Sequence, residues 1–557
     1  MARREQQVGF VTTATIQGVE AVLVTVEVSV GSGLPGIHIV GMPDTAIQEA
    51  KQRVRQALKA ADFEMRNRFV VVNLAPSSVK KVGSGFDLPI ALAFLIATEQ
   101  IGPELVEGRL CVGELSLDGS VRAVSGQLAF EQVAQAQGWG LMTGPTVEGV
   151  FVDQGQEHVC LRHLSDLREG SFVAPTDAVS SGWTSGADYS DIAGNDLAKR
   201  ALQIAAAGTH ALLMVGPPGS GKSMLASRLP SILPPLSEDE RVESALIHSV
   251  AGLPFERILR GERPFRAPHH GASRAGLIGG GNPTRAGEVS LAHNGVLFLD
   301  ELPEFGSAVL QLLRQPMEQG VVTLARASGT VVFPSRFMLV AASNPCPCGF
   351  YGDPKRSCTC TAPQISRYQG RVGGPLMDRI GIIVDVWRSD ASNVLNTGKG
   401  TSSAQLKEGV MNARAFAAWR RERDGYQGER QSGSQSGVQS GPQGRPQNGP
   451  LNGPQGRPQN GPQSPRLLEA TEAPGFGGAR SLSTPPAALL ASCKLGTKER
   501  ASLEMMAERY QLSGRGIMCA LDVARTIADM EECEKVSGDH LLEAISFRKN
   551  DREAAVS

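Results

Sequence analysis

The segment Gly216-Pro-Pro-Gly-Ser-Gly221-Lys222-Ser223 constrains this chain more than any other stretch. It has the spacing G-x-x-x-x-G-K-[ST], directly follows the apolar run Ala211 to Val215, and leads into Met224-Leu-Ala. A strand, a glycine-rich turn and a helix in that order curl backbone N–H groups around one point and set the positive end of the helix behind them, which makes a phosphate cradle. Gly216, Pro217, Pro218, Gly219, Ser220 and Gly221 then form the loop, Lys222 reaches the β- and γ-phosphates of ATP, and Ser223 ligates Mg2+. Buried-strand runs at 295–299 and 337–342, alternating with helical periods, put the loop in an α/β unit whose sheet is largely parallel.

Two further strand ends suit the chemistry of a bound triphosphate. Gly295-Val-Leu-Phe-Leu runs into Asp300 and Glu301, where one acid can hold the Mg2+ shell and the other can polarise water. Phe337-Met-Leu-Val-Ala-Ala-Ser ends in Asn344, an amide suited to orient that water. Without a phosphate loop upstream, both would be ordinary strand ends. Arg379, in Gly374-Pro-Leu-Met-Asp-Arg-Ile, and Arg515, after Ser513-Gly, are cations for transition-state charge or, the reading that pattern alone favours, members of surface ion pairs.

The remaining organisation follows from composition. Residues 1–173 alternate strand-like runs (21–30, 68–74) with helical periods (45–61, 88–98, 127–137), an α+β pattern, and 174–187 is a polar linker. The core is expected over 188–390, with a helical lid beginning in 391–424. Between 425 and 485 the chain turns to Gly, Pro, Gln, Ser, Asn and Arg, and GPQGRPQNGP occurs at 441–450 and again at 453–462. So little apolar surface cannot offset ordering entropy, so a disordered insert is expected there. Helical patterning returns over 486–557, with helices expected at 499–510, 515–531 and 537–549. Lys plus Arg number 55 against 56 Asp plus Glu, which excludes a histone-like protein and leaves only local basic patches for nucleic acid. No apolar run approaches the roughly 18 residues of a membrane span, so a cytoplasmic protein is expected.

Several long strings together resemble one family. The phosphate loop, Arg263-Pro-Phe-Arg-Ala-Pro-His-His270, the stretch Gly287 to Phe305, Asn344-Pro-Cys-Pro-Cys348 and Val523-Ala-Arg-Thr-Ile-Ala-Asp529 are similar to the ComM/YifB-type magnesium-chelatase-like AAA+ ATPases of bacteria. The resemblance covers nearly the whole chain apart from the insert. It implies an AAA+ core with a helical lid and a homo-hexameric ring. In one branch of the family it implies an ATP-driven helicase that promotes branch migration of DNA, beside recombination proteins, in recombination and natural transformation. It makes Asp300 and Glu301 the Walker B pair, Asn344 sensor 1, Arg379 the finger inserted into a neighbour's site, and Arg515 sensor 2. Gly381 departs from the family's Asp-Arg-Ile-Asp, which bears on the subunit contact. The first 170 residues resemble a ChlI-type domain with the Lon-protease (ribosomal S5 domain 2-like) fold. The peptidase serine would fall at Gly85, next to Ser84, so this domain is read as noncatalytic. The alternatives are a chelatase-like motor remodelling a protein and a Lon-like peptidase.

Nine cysteines include four within fifteen residues: Cys346, Cys348, Cys358 and Cys360. Four thiolates on a double turn suit tetrahedral Zn2+, although C-x-C is shorter than the usual C-x-x-C, and free thiols or a redox pair stay open. Some relatives lack these cysteines, so a zinc here would be structural. Arg257, Arg260, Arg263 and Arg266 recur every three residues, followed by His269, His270, Arg274 and Arg285. Such a run can contact phosphates or form ion pairs and a solvated face. Residues 321–333 read as a hairpin with Arg326 near its turn, and related ring motors line their pore with a hairpin at this place, so Arg326 is the candidate DNA contact.

Overall fold

Alternation of buried and exposed positions builds the first sheet. The computed structural model describes residues 8–65, 68–145, 158–170, 172, 187–282, 284–326, 329–388, 400–424 and 485–548. Strand Glu20–Gly31 buries Val24, Val26 and Val28 on one face, as a period of two requires. It pairs antiparallel with Val8–Gln17 and Phe69–Ala75, and Gly36–Val40 adds to the latter in parallel. Val8–Gln17 carries Thr13 and Thr15 buried, which hides it from a reading by hydropathy. Helix Asp87–Ala97 is enclosed on nearly every side and lies against the first two strands. A Cβ on Gly9 would stand 2.0 Å from the Ala93 carbonyl, so this close approach requires glycine. The helices read at 45–61 and 127–137 are Thr45–Ala60 and Gln127–Ala136.

The second sheet has five parallel strands in the order Phe265–Arg266, Gly295–Leu299, Phe337–Ser343, Leu212–Val215, Ile382–Asp385. Every residue of Gly295–Leu299 and Phe337–Ser343 is buried, as expected of strands covered on both faces. The first strand in sequence, Leu212–Val215, is therefore flanked by the fourth and fifth, which opens a crevice at its carboxyl end. The hairpin Val321–Arg326 with Gly329–Pro334 stands outside this sheet. The two sheets are not independent bodies. Ala14, Leu110 and Leu128 of the first unit share one apolar cluster with Leu213, Leu297 and Phe333 of the second.

Helices Ser403–Arg423, Pro486–Cys493, Thr497–Arg509, Gly514–Met530 and Gly538–Ser546 pack against one another where the helical lid is expected. Arg420 clasps Asp529 through two bonds of 2.9 Å, and Arg525 adds a contact of 3.0 Å, all three groups being buried. Such a pair fixes register, because removing one partner strands a buried charge. Lys494 Nζ reaches Asp424 at 2.9 Å, so the chain resumes beside the point where it left before 425–484. The linker and the insert lie, but for Ala187 and Pro485, outside the described residues, as do residues 391–399 of the expected lid start.

Candidate nucleotide site and its surroundings

The strand Leu212–Val215 delivers Gly216 into the crevice, where a Cβ would meet the Val386 carbonyl at 2.0 Å and push the loop off the neighbouring strand. Gly219 and Gly221 hold φ of +74° and +92°, a left-handed geometry that bends the loop back toward its helix. Lys222 Nζ donates to the carbonyls of Gly216 and Pro217 at 2.8 and 3.0 Å and lies 3.3 Å from Asn344 Oδ1. Ser223 Oγ donates to Asp300 Oδ2 at 2.6 Å. A cavity of about 390 Å³ is lined by residues 218–224 with Asp300, Glu301, Ser343 and Asn344, within the usual range for a small-molecule site. The Ser220 hydroxyl, buried on that lining, has no hydrogen-bond partner among the described residues. An unsatisfied buried donor beside a glycine-rich loop fits a phosphate oxygen.

The structure thus brings together all the loop residues with Asp300, Glu301 and Asn344. Glu301 adopts φ +52°, a left-handed geometry uncommon for a residue with a side chain, and its N–H donates to Asp300 Oδ1 at 2.9 Å. Sequence reasoning missed one neighbour. His270 Nδ1 lies 3.4 Å from Glu301 Oε2, and its ring sits 4.0 Å from that of His269. The motif was visible, but its position beside the acid depends on Phe265–Arg266 pairing with Gly295–Leu299.

Arg379 and Arg515 are absent from this cavity. Gly381 and Ile382 donate to the Ala211 carbonyl, which puts Arg379 at the amino edge of the sheet. The phosphate loop leaves the opposite edge, past the four residues of Leu212–Val215 at about 3.3 Å each. Arg379 donates to the Pro375 carbonyl and to Glu318, and Arg515 donates to the same Glu318 oxygen at 2.9 Å. The Arg379 side chain is only 2% exposed, against 38% for Arg515. Burial pushes the Glu318 carboxyl up, but hydrogen bonds and charge from the two arginines hold it below its ordinary value.

Comparisons with known proteins match this arrangement from end to end. Residues 188–394 match the family described as "Magnesium chelatase, subunit ChlI", 26–144 "Subunit ChlI of Mg-chelatase", and 472–548 its C-terminal part. The chain is 37% identical to the YifB protein of Escherichia coli and 36% identical to that of Salmonella typhimurium, over 97% of each chain. It is 36% identical to "Competence protein ComM" of Haemophilus influenzae over 95% of both. The chain belongs to the ComM/YifB-type magnesium-chelatase-like family. This is a family of chelatase-like AAA+ proteins of mixed α/β build with a parallel sheet, which implies use of ATP and Mg2+ and oligomeric assembly.

In this family member the four-cysteine turn abuts the phosphate loop. The sulfurs of Cys346, Cys348, Cys358 and Cys360 all lie within 4.8 Å of one another, with close pairs at 3.3, 3.5 and 3.6 Å. A tetrahedron of zinc–sulfur bonds has edges of about 3.8 Å, so the donor set fits that ion. Backbone N–H groups of Tyr351, Cys348 and Cys360 point at the sulfurs of Cys346, Cys360 and Cys358 at 3.3, 3.3 and 3.4 Å, and such bonds stabilise thiolates. A Cβ on Gly349 would stand 2.6 Å from Pro218 Cδ, so the turn packs directly on the loop.

The basic segment divides. Arg263 is buried on Glu240 at 2.9 Å and on the Pro234 and Asn294 carbonyls, and Arg266 grips Glu288 at 2.7 and 2.8 Å. These two serve the fold, so the run does not act as one phosphate-binding face. The hairpin forms as expected and pairs Arg326 with Gly329 at its turn. In the first unit, Ser84 Oγ donates to Glu114, whereas Lys81 Nζ donates to the Pro76 carbonyl. The serine and the lysine therefore do not pair.

Proposed function

We propose that this protein is an ATP-driven homo-hexameric ring motor acting on DNA, a branch-migration helicase of recombination and natural transformation in the cytoplasm. The observation that carries the reading is the cavity in which the phosphate loop, the Asp300–Glu301 pair and Asn344 converge while both candidate arginines stand at the opposite edge. ATP binds on residues 216–223, and Ser223 and Asp300 would hold a Mg2+, whose charge would offset that of the phosphates. Glu301 takes the proton of the attacking water, and Lys222 and Asn344 fix the γ-phosphate and that water. Arg379 and Arg515 cannot serve their own chain's phosphates from the amino edge, so they serve those of an adjacent copy. Turnover then moves the lid and the hairpin carrying Arg326, which draws a DNA strand through the ring. Similarity to a competence protein supports DNA as the substrate. The four cysteines would hold a structural Zn2+, which would brace the turn behind Pro218.

A second reading, a chelatase-like motor that remodels a protein, is favoured by the match to magnesium-chelatase subunits. The peptidase reading has little support, since Ser84 and Lys81 face different partners. Unwinding of four-way junctions and forked duplexes with ATP, by wild type beside Lys222→Ala and Arg379→Ala, separates the first two. Wild-type unwinding lost in both variants, with rings retained, is the expected result. A wild-type ring that hydrolyses ATP yet moves no DNA puts the protein-remodelling reading ahead.

A further inference from the structure

We propose that Glu318 is a positioning residue that presents Arg515 to the nucleotide of a neighbouring copy. The inference rests on the cross-boundary reading above and assigns a role to a residue that reading leaves out.

The three side chains are arranged in depth. Arg379 is the inner member, 2% exposed, with one terminal nitrogen on the Pro375 carbonyl and the other on Glu318 Oε1. Glu318, 36% exposed, passes the same oxygen outward to Arg515 at 2.9 Å. Two guanidinium charges on one carboxylate leave a net positive charge, and only Arg515 carries it to the surface. A long arginine side chain at a helix start is otherwise free to sweep many rotamers, and anchoring it before assembly removes that disorder from the catalytic step. The base of the helix is held as well: Ser513 Oγ donates to Asp378 Oδ1 at 3.3 Å, and Arg548 donates to the Ile380 carbonyl at 2.9 Å. The lid and the segment bearing Arg379 therefore meet as one surface.

Glu318 also stands at a junction. Its helix, Arg314–Gln319, ends at Gly320 with φ +67°, and the hairpin begins at Val321. Tension on the hairpin reaches the carboxylate through one turn of chain. Because Arg379 and Arg515 share a single acceptor atom, displacement of Glu318 changes the pose of both. Arg515 of one copy is thereby set by the hairpin of the same copy, while the ATP it acts on belongs to the next.

Mixed rings test this. Glu318→Gln alone is expected to lower kcat for ATP about tenfold with KM little changed, since its own phosphate loop is intact. Mixing in Lys222→Ala subunits, which cannot turn over ATP but supply wild-type arginines, is expected to raise the rate per Glu318→Gln subunit. Glu318→Asp, which keeps the charge, is expected to retain more turnover than Glu318→Gln, and it carries the comparison should the glutamine variant not assemble. Wild-type turnover in Glu318→Gln, a loss that mixing does not relieve, or an aspartate variant no better than the glutamine one each overturns the inference. Arg515→Ala taken through the same mixing separates the two levels. If it turns over like wild type, the cross-boundary reading fails; if it is impaired while Glu318→Gln is not, only the role of Glu318 fails.

Discussion

The two edges of the five-stranded sheet are built on different principles. At the carboxyl edge the phosphate loop relies on backbone conformation: left-handed glycines, N–H groups and a lysine folded over its own loop carbonyls. At the amino edge the structure relies on shared carboxylates. Glu318 holds Arg379 and Arg515, and Glu243 holds His293, Asn294 and Arg336. In the proposed reading the first edge holds its nucleotide with residues of one chain. In that reading the second carries arginine charge that acts on an adjacent copy.

The sharpest way to break this contrast is at the carboxyl edge. Glu301→Gln should cut ATP turnover by about 100- to 1000-fold while leaving nucleotide binding intact, and no mixing of subunits should repair the mutated site. A Glu301→Gln protein whose own sites regain turnover from wild-type neighbours would abolish the distinction between the edges. The cysteine turn comes next in size. Cys348→Ser should abolish zinc content by elemental analysis and lower unfolding stability by about 2 kcal/mol, and it should weaken nucleotide binding through Pro218. Unchanged ATP affinity in the metal-free protein would detach the turn from the loop.

Acid should act on the amino edge. Burial pushes the Glu243 carboxyl up, but the His293 and Asn294 bonds and the His293 and Arg336 charges bring it down to about 2, from an ordinary 4.5. A depressed folded value means that its stabilisation is complete above 4.5 and is lost as pH falls toward 2. Glu243→Gln should therefore flatten the acid limb of the stability curve, followed by circular dichroism, without moving stability near neutrality relative to its own plateau. A smaller effect is expected at His270. His270→Ala should lower kcat by about threefold, because the ring touches Glu301, the carboxylate proposed to take the water's proton. The smallest is deletion of 428–482, which should leave ATPase activity unchanged, since Lys494 and Asp424 already join the flanking helices; loss of activity would show that the insert takes part.

Much of this was legible along the chain. Gly216 to Ser223, Asp300, Glu301 and Asn344 each follow an apolar run, and the structure gathers them because parallel strands end at a common edge. Val8–Gln17 was not legible, since its inward threonines break the apolar pattern. Nor was the fate of the arginine run: spacing of three made Arg263 and Arg266 look like one charged face, whereas Glu240 and Glu288 come from distant turns to meet them.

Local sequence by itself determined the phosphate loop, the strands before Asp300 and Asn344, the cysteine turn and the family, because each depends on residues near one another in the chain, where torsional freedom and spacing decide geometry. Only the tertiary structure decided that Arg379 lies buried, that Arg515 shares its carboxylate, and that His270 faces Glu301. Those contacts join residues 61, 197 and 31 positions apart, the last being the separation of 270 and 301. Strand order and side-chain packing bring such residues together, and neither is written in any short window of sequence.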